Sequence, residues 1–337
     1  MSMRIFFIYF FTLLTFLCLL LSGGCRQQEQ RPLPEATACQ SKMVLHTVVT
    51  LRAEGGAAET AVAEAMARLE ELERLTDPNR PESEIAGLNA AAGQGAVKIS
   101  PVVFSLLEQA QRLAELTEGA FDVTLLPVSR LYGFGTAQPG VPTDEQLQAA
   151  LRQTGWRKLR LDPAAQTAEL TEAGMAVDLG AAVKGLAADE VRRIFQAHGV
   201  KHGLCSFGRS TVLAWGSKEN GEGWQVGLRH PRREQELAGA VNLQNQFMSV
   251  SGDYERYFEQ EGVRYHHLLN PADGRPARGL QAVAVMLDAA APQAGLWSDM
   301  LSTAFFVLGK EKTERLVQSL SVKVQYVIFD GINAPAP

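Results

Sequence analysis

The sequence predicts an α+β fold, in which long helices pack on a mostly antiparallel sheet within a single domain. Long segments with helical periodicity fill the first half of the chain, and short strand-like runs dominate after residue 156. No segment rich in Pro, Gly or Ser interrupts the chain after residue 43, so we expect one domain over residues 43–330 and a short tail over residues 331–337. With 337 residues, of which 46% are hydrophobic, the chain can bury a substantial core.

Periodicity and end signals predict the individual elements in order. The predicted helices cover residues 57–76, a short segment ending near 89, and residues 100–119, 143–155, 181–199 and 291–309. Ser100 followed by Pro101 is typical of a helix start, and Gly119 is typical of a helix end. The predicted strands cover residues 46–53, 158–162, 167–171, 175–179, 203–207, 211–215, 224–230, 247–251, 281–287 and 322–330.

Charge and cysteine content argue against several classes of protein. The net charge of -5 and the pI near 5.8 disfavour a nucleic-acid-binding surface, which needs clustered Lys and Arg. The four cysteines show no CxxC pattern and no zinc-type spacing. Cys205 fits a small buried residue, so we expect the core to stabilise the domain rather than a disulfide framework.

The N-terminus has the pattern of an export signal. An apolar run over residues 5–21 follows Arg4 and leads to LSGGC, which ends at Cys25. Small residues before a cysteine at this place resemble a bacterial lipoprotein signal, so residues 1–24 are predicted to be a signal peptide and Cys25 the lipidated residue. An uncleaved membrane anchor is the alternative. Both interpretations place the folded domain outside the cytoplasm, after a linker over residues 25–42.

The first candidate for chemistry is AVDLGAAVKG, in which Lys184 lies in the first turn of a predicted helix. A helix N-terminus attracts anions, and a lysine there opposes the helix dipole, so a bound phosphate would explain it. A solvated lysine on an ordinary surface helix explains the segment equally well.

The second candidate is SDMLST, in which Asp299 and Thr303 are four residues apart and share one helix face. Carboxylate and hydroxyl oxygens are hard ligands suited to Mg²⁺, above all where substrate phosphates supply others. A solvated aspartate and a packed threonine are the alternative.

Two further motifs are candidates: one contains an aspartate among apolar residues, and the other contains a pair of adjacent histidines. Asp122 needs a partner, either backbone N–H groups or the polar edge of a ligand. The aromatic residues and glycines that follow it fit a turn over the core or the approach of an aromatic ligand. In a strand, His266 and His267 would point to opposite faces, so the two cannot easily bind one metal ion.

The order of five motifs is more informative than any one of them. Along the chain they are SEIAGLN, GAFDVTLLPVSRLYGFG, VDLGAAVKGLAADE, SVSGDYERYFEQEGVRYHHLLNPADGRP and SDMLSTAFFVLG. Together they resemble the ApbE family of FAD:protein FMN transferases over residues 43–330. The resemblance implies a single T-fold-related α+β domain.

The resemblance also implies a function. FMN is transferred from FAD to a Thr or Ser hydroxyl of a target protein, AMP is released, and Mg²⁺ is required. The implied targets are subunits of electron-transport complexes of the Nqr and Rnf kinds, and the implied location is the periplasmic side of the bacterial inner membrane, with a lipid anchor. The alternatives are an FAD-binding lipoprotein that transfers nothing and an FAD pyrophosphatase that yields FMN and AMP.

Roles for individual residues follow from the same resemblance. His267 matches the family's candidate for a base or proton shuttle. The implied FAD contacts are Asn79, Ala120, Phe121, Asp122, Asp178, Lys184 and Leu269. The implied metal ligands are Asp299, Thr303 and the backbone carbonyls of Ala181 and Ser302.

Several positions depart from the family pattern. Where the family has Met-Gly-Thr, this chain has Leu45-His46-Thr47, and where the family has a flavin-stacking aromatic residue, it has Asn79. The family's Gly-Gly-Asp is replaced by Gly208-Arg209-Ser210, and its Asp-Pro by Asn270-Pro271. The residues for phosphate and metal chemistry are retained, so we expect the changes at Asn79 and Arg209 to affect flavin affinity or substrate range.

Overall fold

A seven-stranded antiparallel sheet forms the centre of the structure, a computed structural model that describes residues 36–218 and 220–331. In spatial order its strands are β1 (Thr37–Val44), β2 (Thr47–Glu54), β6 (His202–Phe207), β7 (Thr211–Trp215), β10 (Gln246–Gly252), β13 (Ala282–Asp288) and β14 (Gln325–Phe329). A smaller sheet consists of β3 (Val97–Lys98), β5 (Thr167–Leu170) and β4 (Leu159–Asp162). Two hairpins consist of β8 (Trp224–Arg229) with β9 (Leu237–Leu243), and of β11 (Tyr257–Gln260) with β12 (Val263–His266). The predicted α+β class is confirmed.

Seven helices lie within the described residues, and the longer ones cover one face of the central sheet. They are α1 (Ala58–Thr76), α2 (Glu84–Ala90), α3 (Pro101–Leu116), α4 (Leu126–Tyr132), α5 (Asp144–Arg152), α6 (Val183–Ala197) and α7 (Ala294–Ser319). Helix α1 packs on β1 and β2, α6 on α1 and β7, and α7 on α6, β10 and β13. The β8–β9 hairpin covers the opposite face, where its Trp224 joins an apolar cluster. None of the described helices is long and apolar enough to cross a membrane.

Strand β10 shows how the sheet separates two cores. Phe247 belongs to the apolar cluster on the helix side, whereas Met248 belongs to the cluster on the side of the β8–β9 hairpin. Because successive side chains of a strand point to opposite faces, Ser249 and Ser251 share the helix side with Phe247. Both serines are buried. The strand therefore places two hydroxyl groups against the helical layer.

Two of the predicted helix starts have side-chain caps in the structure. Helix α3 begins after Ser100, whose Oγ accepts the Val103 N–H at 3.5 Å. Helix α5 begins with a capping box, in which the side chains of Thr143 and Gln146 each accept the other residue's backbone N–H. Such caps satisfy N–H groups that a helix start leaves unpaired, which explains why these ends could be predicted.

Gly309 does not end the long helix as predicted. Its φ of 74° and ψ of 177° break α7, and the helix then resumes to Ser319. Thr313 spans the break by donating its hydroxyl to the Phe305 carbonyl at 3.3 Å. Glycine adopts a left-handed backbone at low cost, so Gly309 marks a kink inside the helix.

The predicted strand over residues 175–179 is wrong, although most of its side chains are buried. The Asn89 side chain donates from Nδ2 to the Val177 carbonyl at 3.0 Å, and its Oδ1 accepts the Val177 N–H at 2.7 Å. The Asp178 N–H donates to the Val123 carbonyl at 2.9 Å. A side chain and a neighbouring loop therefore satisfy the backbone groups that a strand would pair.

The predicted linker over residues 25–42 is wrong at its end, because residues 37–42 belong to β1. This edge strand is exposed at most positions on both faces, so its sequence TACQSKMV lacks the alternation that identifies half-buried strands. Pairing with β2 along its whole length defines it. The predicted signal peptide, Cys25 and residues 332–337 lie outside the described residues.

Candidate functional site

The candidate site begins where α6 crosses α7, at two glycines in close contact. A Cβ added to Gly185 would lie 2.3 Å from the Gly295 carbonyl oxygen and 2.7 Å from the Cβ of Asp299. A Cβ added to Gly295 would lie 2.5 Å from the Gly185 carbonyl oxygen. All three distances are shorter than close-packed atoms allow, so the crossing requires glycine at both positions. It brings Asp299 to the first turn of α6.

Asp299 is 4% exposed and receives hydrogen bonds from two elements. Its Oδ2 accepts the Gly185 N–H at 3.0 Å and lies 3.8 Å from the Lys184 Nζ. Its Oδ1 accepts the Thr211 hydroxyl at 3.4 Å. The Gly185 N–H belongs to the positive end of the α6 dipole, so this carboxylate lies in surroundings that favour negative charge.

The ammonium group of Lys184 is the cationic donor of the site. Its Nζ donates to the Gly180 carbonyl at 2.9 Å, and the side chain is 19% exposed. An ammonium has three hydrogens, so donors remain for a ligand. The Val183 N–H is already bonded to the Leu179 carbonyl, and the Gly185 N–H to the carboxylate described above. An anion here would therefore depend on Lys184 more than on the helix terminus.

A second carboxylate makes the reciprocal contact between the two helices. Asp189 on α6 accepts the N–H of Gly295 at 3.0 Å and that of Leu296 at 2.8 Å, at the start of α7. Burial raises the pKa of Asp189 to about 6, and the two hydrogen bonds oppose the rise. Each helix thus holds the N-terminal turn of the other through one aspartate.

Hydroxyl groups surround two of the predicted metal ligands. Ser251 Oγ lies 2.8 Å from Ser302 Oγ and 3.2 Å from Thr303 Oγ1. Ser302 Oγ donates to the Asp299 carbonyl at 2.8 Å. Ser302 is fully buried and Thr303 only partly, so Thr303 is the hydroxyl within reach of a ligand.

Two loops predicted to contact FAD are hydrogen bonded to each other. The N–H of Asp178 donates to the carbonyl of Val123, which follows Asp122 directly. Asp178 itself is exposed, and its Oδ1 accepts the Gly180 N–H at 2.6 Å. Ala181 is partly buried in the same turn, immediately before α6. The structure therefore brings the Asp122 and Asp178 segments together at the entry to α6.

Asp122 has its hydrogen-bond partners inside the protein. Its carboxylate accepts the N–H and the hydroxyl of Thr124 at 2.8 and 2.7 Å, and the Trp156 N–H at 2.9 Å. Burial raises the pKa of Asp122, and these bonds oppose the rise. The sequence allows two kinds of partner for Asp122, backbone N–H groups or a ligand, and the structure shows backbone N–H groups. Next to it, Ala120 is partly buried and the Phe121 ring lies in the core.

The two adjacent histidines face different surroundings, as strand geometry predicts. His266 is buried, its Nε2 lies 2.9 Å from the Ala277 carbonyl, and its ring packs edge-on against Phe306 at 5.4 Å. Burial lowers the pKa of His266 to about 4, although the charge of Asp253 opposes this. His266 thus joins the β12 end to α7.

His267 is a neutral imidazole with one ring nitrogen left to accept a hydrogen bond. Its Nδ1 is 3.3 Å from the Arg256 carbonyl, which can only accept, so Nδ1 carries the hydrogen and Nε2 keeps its lone pair. Desolvation lowers the pKa of His267 to about 3, and the charges of Arg256 and Lys184 act in the same direction.

Leu269 lies in a small apolar cluster with Tyr132 and is 5% exposed. The Tyr132 hydroxyl donates to the Gly274 carbonyl at 3.1 Å, so the aromatic turn after α4 is a core turn attached to the NPADG segment. Asn270 Oδ1 accepts the Ala272 N–H at 3.1 Å, a turn contact that aspartate would also make. The change from Asp to Asn at this position preserves the turn.

Two other departures from the family pattern lie at exposed positions. Asn79 is exposed in the turn after α1, and its N–H donates to Asp77 Oδ1 at 2.9 Å. Arg209 is exposed in the turn between β6 and β7. Among the described residues, no hydrogen bond or ion pair joins Asn79 to Lys184 or Asp299.

The oxygen atoms around Asp299 fit a hard cation. A carboxylate, the Thr303 hydroxyl and the backbone carbonyls of Ala181 and Ser302 are ligand types that Mg²⁺ accepts. Ser302 lies inside α7, where its carbonyl has a second lone pair beyond the helical hydrogen bond. Residues 36–218 and 220–331 contain no group of three or more His, Cys, Asp or Glu that could hold a metal ion. A cation here would therefore depend on one carboxylate, on neutral oxygens and on ligand phosphates.

Sequence reasoning missed several residues that organise the site. They are Asn89, Gly185, Asp189, Thr211, Ser251 and Gly295. For Ser251 a signal exists, because the period of two in FMSVS places it on the same side as Phe247. Asn89 and Asp189 show no such signal, since their partners are 88 and 106 residues away in the chain.

The fold and the site define an α+β enzyme whose candidate site combines a buried carboxylate, a lysine and a neutral histidine. Such a set is suited to a charged, phosphate-bearing ligand. The model of the ApbE family matches residues 43–328 of the chain. The chain belongs to the ApbE family, and like the relatives described next it is a transferase.

Named relatives and solved structures cover most of the chain. The FAD:protein FMN transferase of Treponema pallidum (strain Nichols) is 33% identical over 288 residues, which are 81% of this chain and 76% of that protein. One of Klebsiella pneumoniae (strain 342) is 34% identical over 242 residues, or 71% of this chain and 73% of that protein. The crystal structure of the ApbE protein from Thermotoga maritima has a TM-score of 0.78 at 26% identity, covering 87% and 94% of the two chains. The apo form of the Pseudomonas stutzeri flavinyl transferase ApbE has a TM-score of 0.75 at 29% identity, covering 89% and 93%.

Proposed function

We propose that this transferase moves FMN from FAD to a Thr or Ser hydroxyl of a target protein and releases AMP, in a metal-dependent reaction. Membership of the ApbE family and the names of the relatives support FAD as donor and FMN as the transferred group. The observation that carries the proposal is Asp299, buried at the first turn of α6 beside Lys184. The acceptor oxygen bonds to the FMN phosphorus, the bond from that phosphorus to the bridging oxygen breaks, and AMP leaves with that oxygen.

Lys184 binds the pyrophosphate of FAD in this proposal. Its ammonium group retains hydrogens beyond the bond to Gly180, and a charge-assisted contact to a phosphate oxygen is a strong one. The hydrogen bond between the Asp178 and Val123 backbones supports a common role of residues 120–122 and Asp178 in holding the nucleotide. Leu269 supplies an apolar contact to the flavin, while Asn79 offers it an amide without an aromatic face.

Asp299, Thr303 and the carbonyls of Ala181 and Ser302 are the residues that would hold Mg²⁺. A bound ion would supply positive charge that neutralises the pyrophosphate. The Asp299 carboxylate keeps lone pairs for this purpose, because each of its oxygens accepts one hydrogen bond from the protein.

His267 takes the proton of the acceptor hydroxyl at Nε2. The hydrogen on Nδ1 is directed to the Arg256 carbonyl, which fixes the tautomer that this role needs. The low pKa of His267 keeps the ring neutral before the reaction. A base positioned in this way removes the proton as the oxygen attacks, which avoids a free alkoxide.

A single incubation tests the activity. Full-length protein is mixed with FAD, Mg²⁺ and a target domain that carries an acceptor threonine, and the products are measured as flavin fluorescence in a denaturing gel and as released AMP. Labelled target together with AMP is the expected result. AMP with an unlabelled target would instead indicate a pyrophosphatase, and the absence of both products would indicate an FAD-binding protein that transfers nothing.

The location and the targets belong to the same proposal. A lipid on Cys25 would anchor the protein on the periplasmic side of the inner membrane, where subunits of Nqr- and Rnf-type complexes would be its targets; the signal-like N-terminus supports the anchor. Labelling with radioactive palmitate in a bacterial host tests the anchor. Label on the wild type and none on Cys25→Ala is expected, whereas an unlabelled wild type in the membrane fraction would indicate an uncleaved anchor.

A further inference from the structure

The hydroxyl of Ser251 connects two predicted metal ligands to the central sheet. Ser251 lies on the helix-facing side of β10 and is 9% exposed. Its Oγ is 2.8 Å from Ser302 Oγ and 3.2 Å from Thr303 Oγ1. One strand residue therefore contacts two successive residues of α7.

The direction of these hydrogen bonds follows from the number of hydrogens. Ser302 has one hydroxyl hydrogen and donates it to the Asp299 carbonyl at 2.8 Å. The contact between Ser251 and Ser302 must then use the hydrogen of Ser251. The contact between Ser251 and Thr303 must in turn use the hydrogen of Thr303. Thr303 therefore donates to Ser251, Ser251 donates to Ser302, and Ser302 donates to the backbone of α7.

This direction determines what the Thr303 oxygen can bind. A hydroxyl that has donated its hydrogen to one partner can only accept from, or coordinate, another. We infer that Ser251 is a positioning residue: by accepting the Thr303 hydrogen it leaves the Thr303 lone pairs for a divalent cation shared with Asp299. The inference rests on the proposed function, in which Thr303 and Asp299 are metal ligands.

Loss of Ser251 would leave the Thr303 hydrogen without its acceptor. The hydroxyl could then rotate, and in some orientations its hydrogen would face the cation and be repelled. Outer partners of metal ligands typically contribute about 10- to 100-fold to metal affinity. We therefore expect a loss of this size in Ser251→Ala.

Ser249 provides a matched control on the same strand. It lies two residues earlier on the same side of β10, is fully buried, and its Oγ lies 2.9 Å from Ser298 Oγ on α7. Ser249→Ala removes a comparable contact between strand and helix. Ser249 Oγ also lies 3.4 Å from Thr211 Oγ1, but it contacts no predicted metal ligand directly, so the control should keep most of the Mg²⁺ affinity of the wild type.

The test is titration calorimetry of Mg²⁺ into the full-length protein without target protein, with thermal unfolding followed in parallel. Ser251→Ala should bind Mg²⁺ about 10- to 100-fold more weakly. Thr303→Val, which removes the ligand oxygen and keeps the shape, should also bind weakly. Because Ser251 acts through Thr303, the double variant should be no weaker than Thr303→Val alone.

Three outcomes would overturn the inference. Unchanged Mg²⁺ affinity in folded Ser251→Ala would do so while leaving the proposed metal site intact. Additive losses in the double variant would show that Ser251 acts elsewhere. A wild type that neither binds Mg²⁺ nor needs it for transfer would refute the metal in the proposed function, and the inference with it. If Ser251→Ala does not fold, Ser251→Thr and Ser251→Val replace it, and only the threonine should keep the affinity.

Discussion

At the scale of single residues, Asp299 has two roles that can be separated: its oxygens accept hydrogen bonds, and its charge would bind a cation. A neutral oxygen is enough to accept the Gly185 N–H, whereas a divalent cation requires a carboxylate. Asparagine keeps one side-chain oxygen and loses the charge. The substitution therefore distinguishes a residue that joins two helices from one that binds a metal.

We expect Asp299→Asn to fold and to transfer FMN roughly 100-fold more slowly or worse, as the loss of a preorganised electrostatic contact does. The rate is measured from flavin fluorescence on the target at high FAD. Asp288→Asn, at the exposed end of β13, is the control and should keep the wild-type rate. A fully active Asp299→Asn would show that no cation acts through this carboxylate.

His267 should give an unusual pH profile for a catalytic histidine. Its pKa is lowered to about 3, so the imidazole is protonated only in strong acid and stays neutral above about pH 4. The kcat/KM of transfer, which reports the free enzyme, should therefore show no inflection near pH 6.5 between pH 5 and 8. His267→Gln should lower the rate by roughly 10²- to 10⁴-fold across that range. A wild-type rate that falls tenfold per pH unit below 6.5 would contradict this environment for the ring.

Single residues were predictable where a local pattern carries a chemical meaning. Lys184 lies in the first turn of a helix, and Asp299 shares a helix face with Thr303, so spacing alone suggested the chemistry of these residues. The role of His267 was suggested only by the order of the motifs. Asp189 reads as an ordinary surface helix residue, because nothing near it in the chain shows that its carboxylate reaches Gly295 and Leu296. Contacts between distant segments decide such roles.

At the scale of elements, the crossing of α6 and α7 depends on the absence of two side chains. Gly185→Ala would place a Cβ 2.3 Å from the Gly295 carbonyl, so the helices must separate. We expect its free energy of unfolding to fall by about 1–3 kcal/mol, as overpacking does, and its transfer rate to fall as Asp299 moves from α6. Urea unfolding and the transfer assay measure the two effects.

Gly87→Ala on α2 is the matched control for that substitution. An added Cβ there meets no atom within 4 Å, and the residue lies inside a helix. The variant should gain about 0.5–1 kcal/mol of stability, because alanine favours a helix more than glycine does. Equal effects at the two glycines would mean that the crossing is not tightly packed.

The elements that were predicted correctly are those with caps or a clear period. Ser100 and Thr143 mark helix starts, and β10 alternates between two cores. The failures have physical reasons of their own. Strand β1 is exposed on both faces, so its sequence lacks the alternation of a half-buried strand. Residues 175–179 are mostly buried and resemble a strand in sequence, but a side chain and a loop, rather than a neighbouring strand, bind their backbone.

At the scale of the whole molecule, the buried His266 should make stability fall in acid. The pKa of His266 is about 4 in the folded protein, below its ordinary value of 6.5, so the unfolded chain binds more protons between these values. The stability from this residue is fully present above pH 6.5 and is lost as the pH falls towards 4. Between pH 7 and pH 5 the loss amounts to about 2 kcal/mol.

His266→Gln tests this dependence, because its amide can still donate to the Ala277 carbonyl and does not titrate. Urea unfolding at pH 7 and pH 5 should show a free energy of unfolding that falls by about 2 kcal/mol less in the variant than in the wild type. The same fall in both proteins would mean that His266 takes up its proton without cost in the folded state.

The reciprocal aspartates on α6 and α7 have a consequence for the order in which a new chain becomes active. Gly185 and Asp299 are 114 residues apart, so a ribosome completes α6 long before it begins α7. Until then Lys184 lacks the Asp299 carboxylate, and Asp189 lacks the start of α7. A chain released early would therefore lack the site altogether rather than possess a weaker one. The site therefore forms only after α7 has been made and has docked on α6.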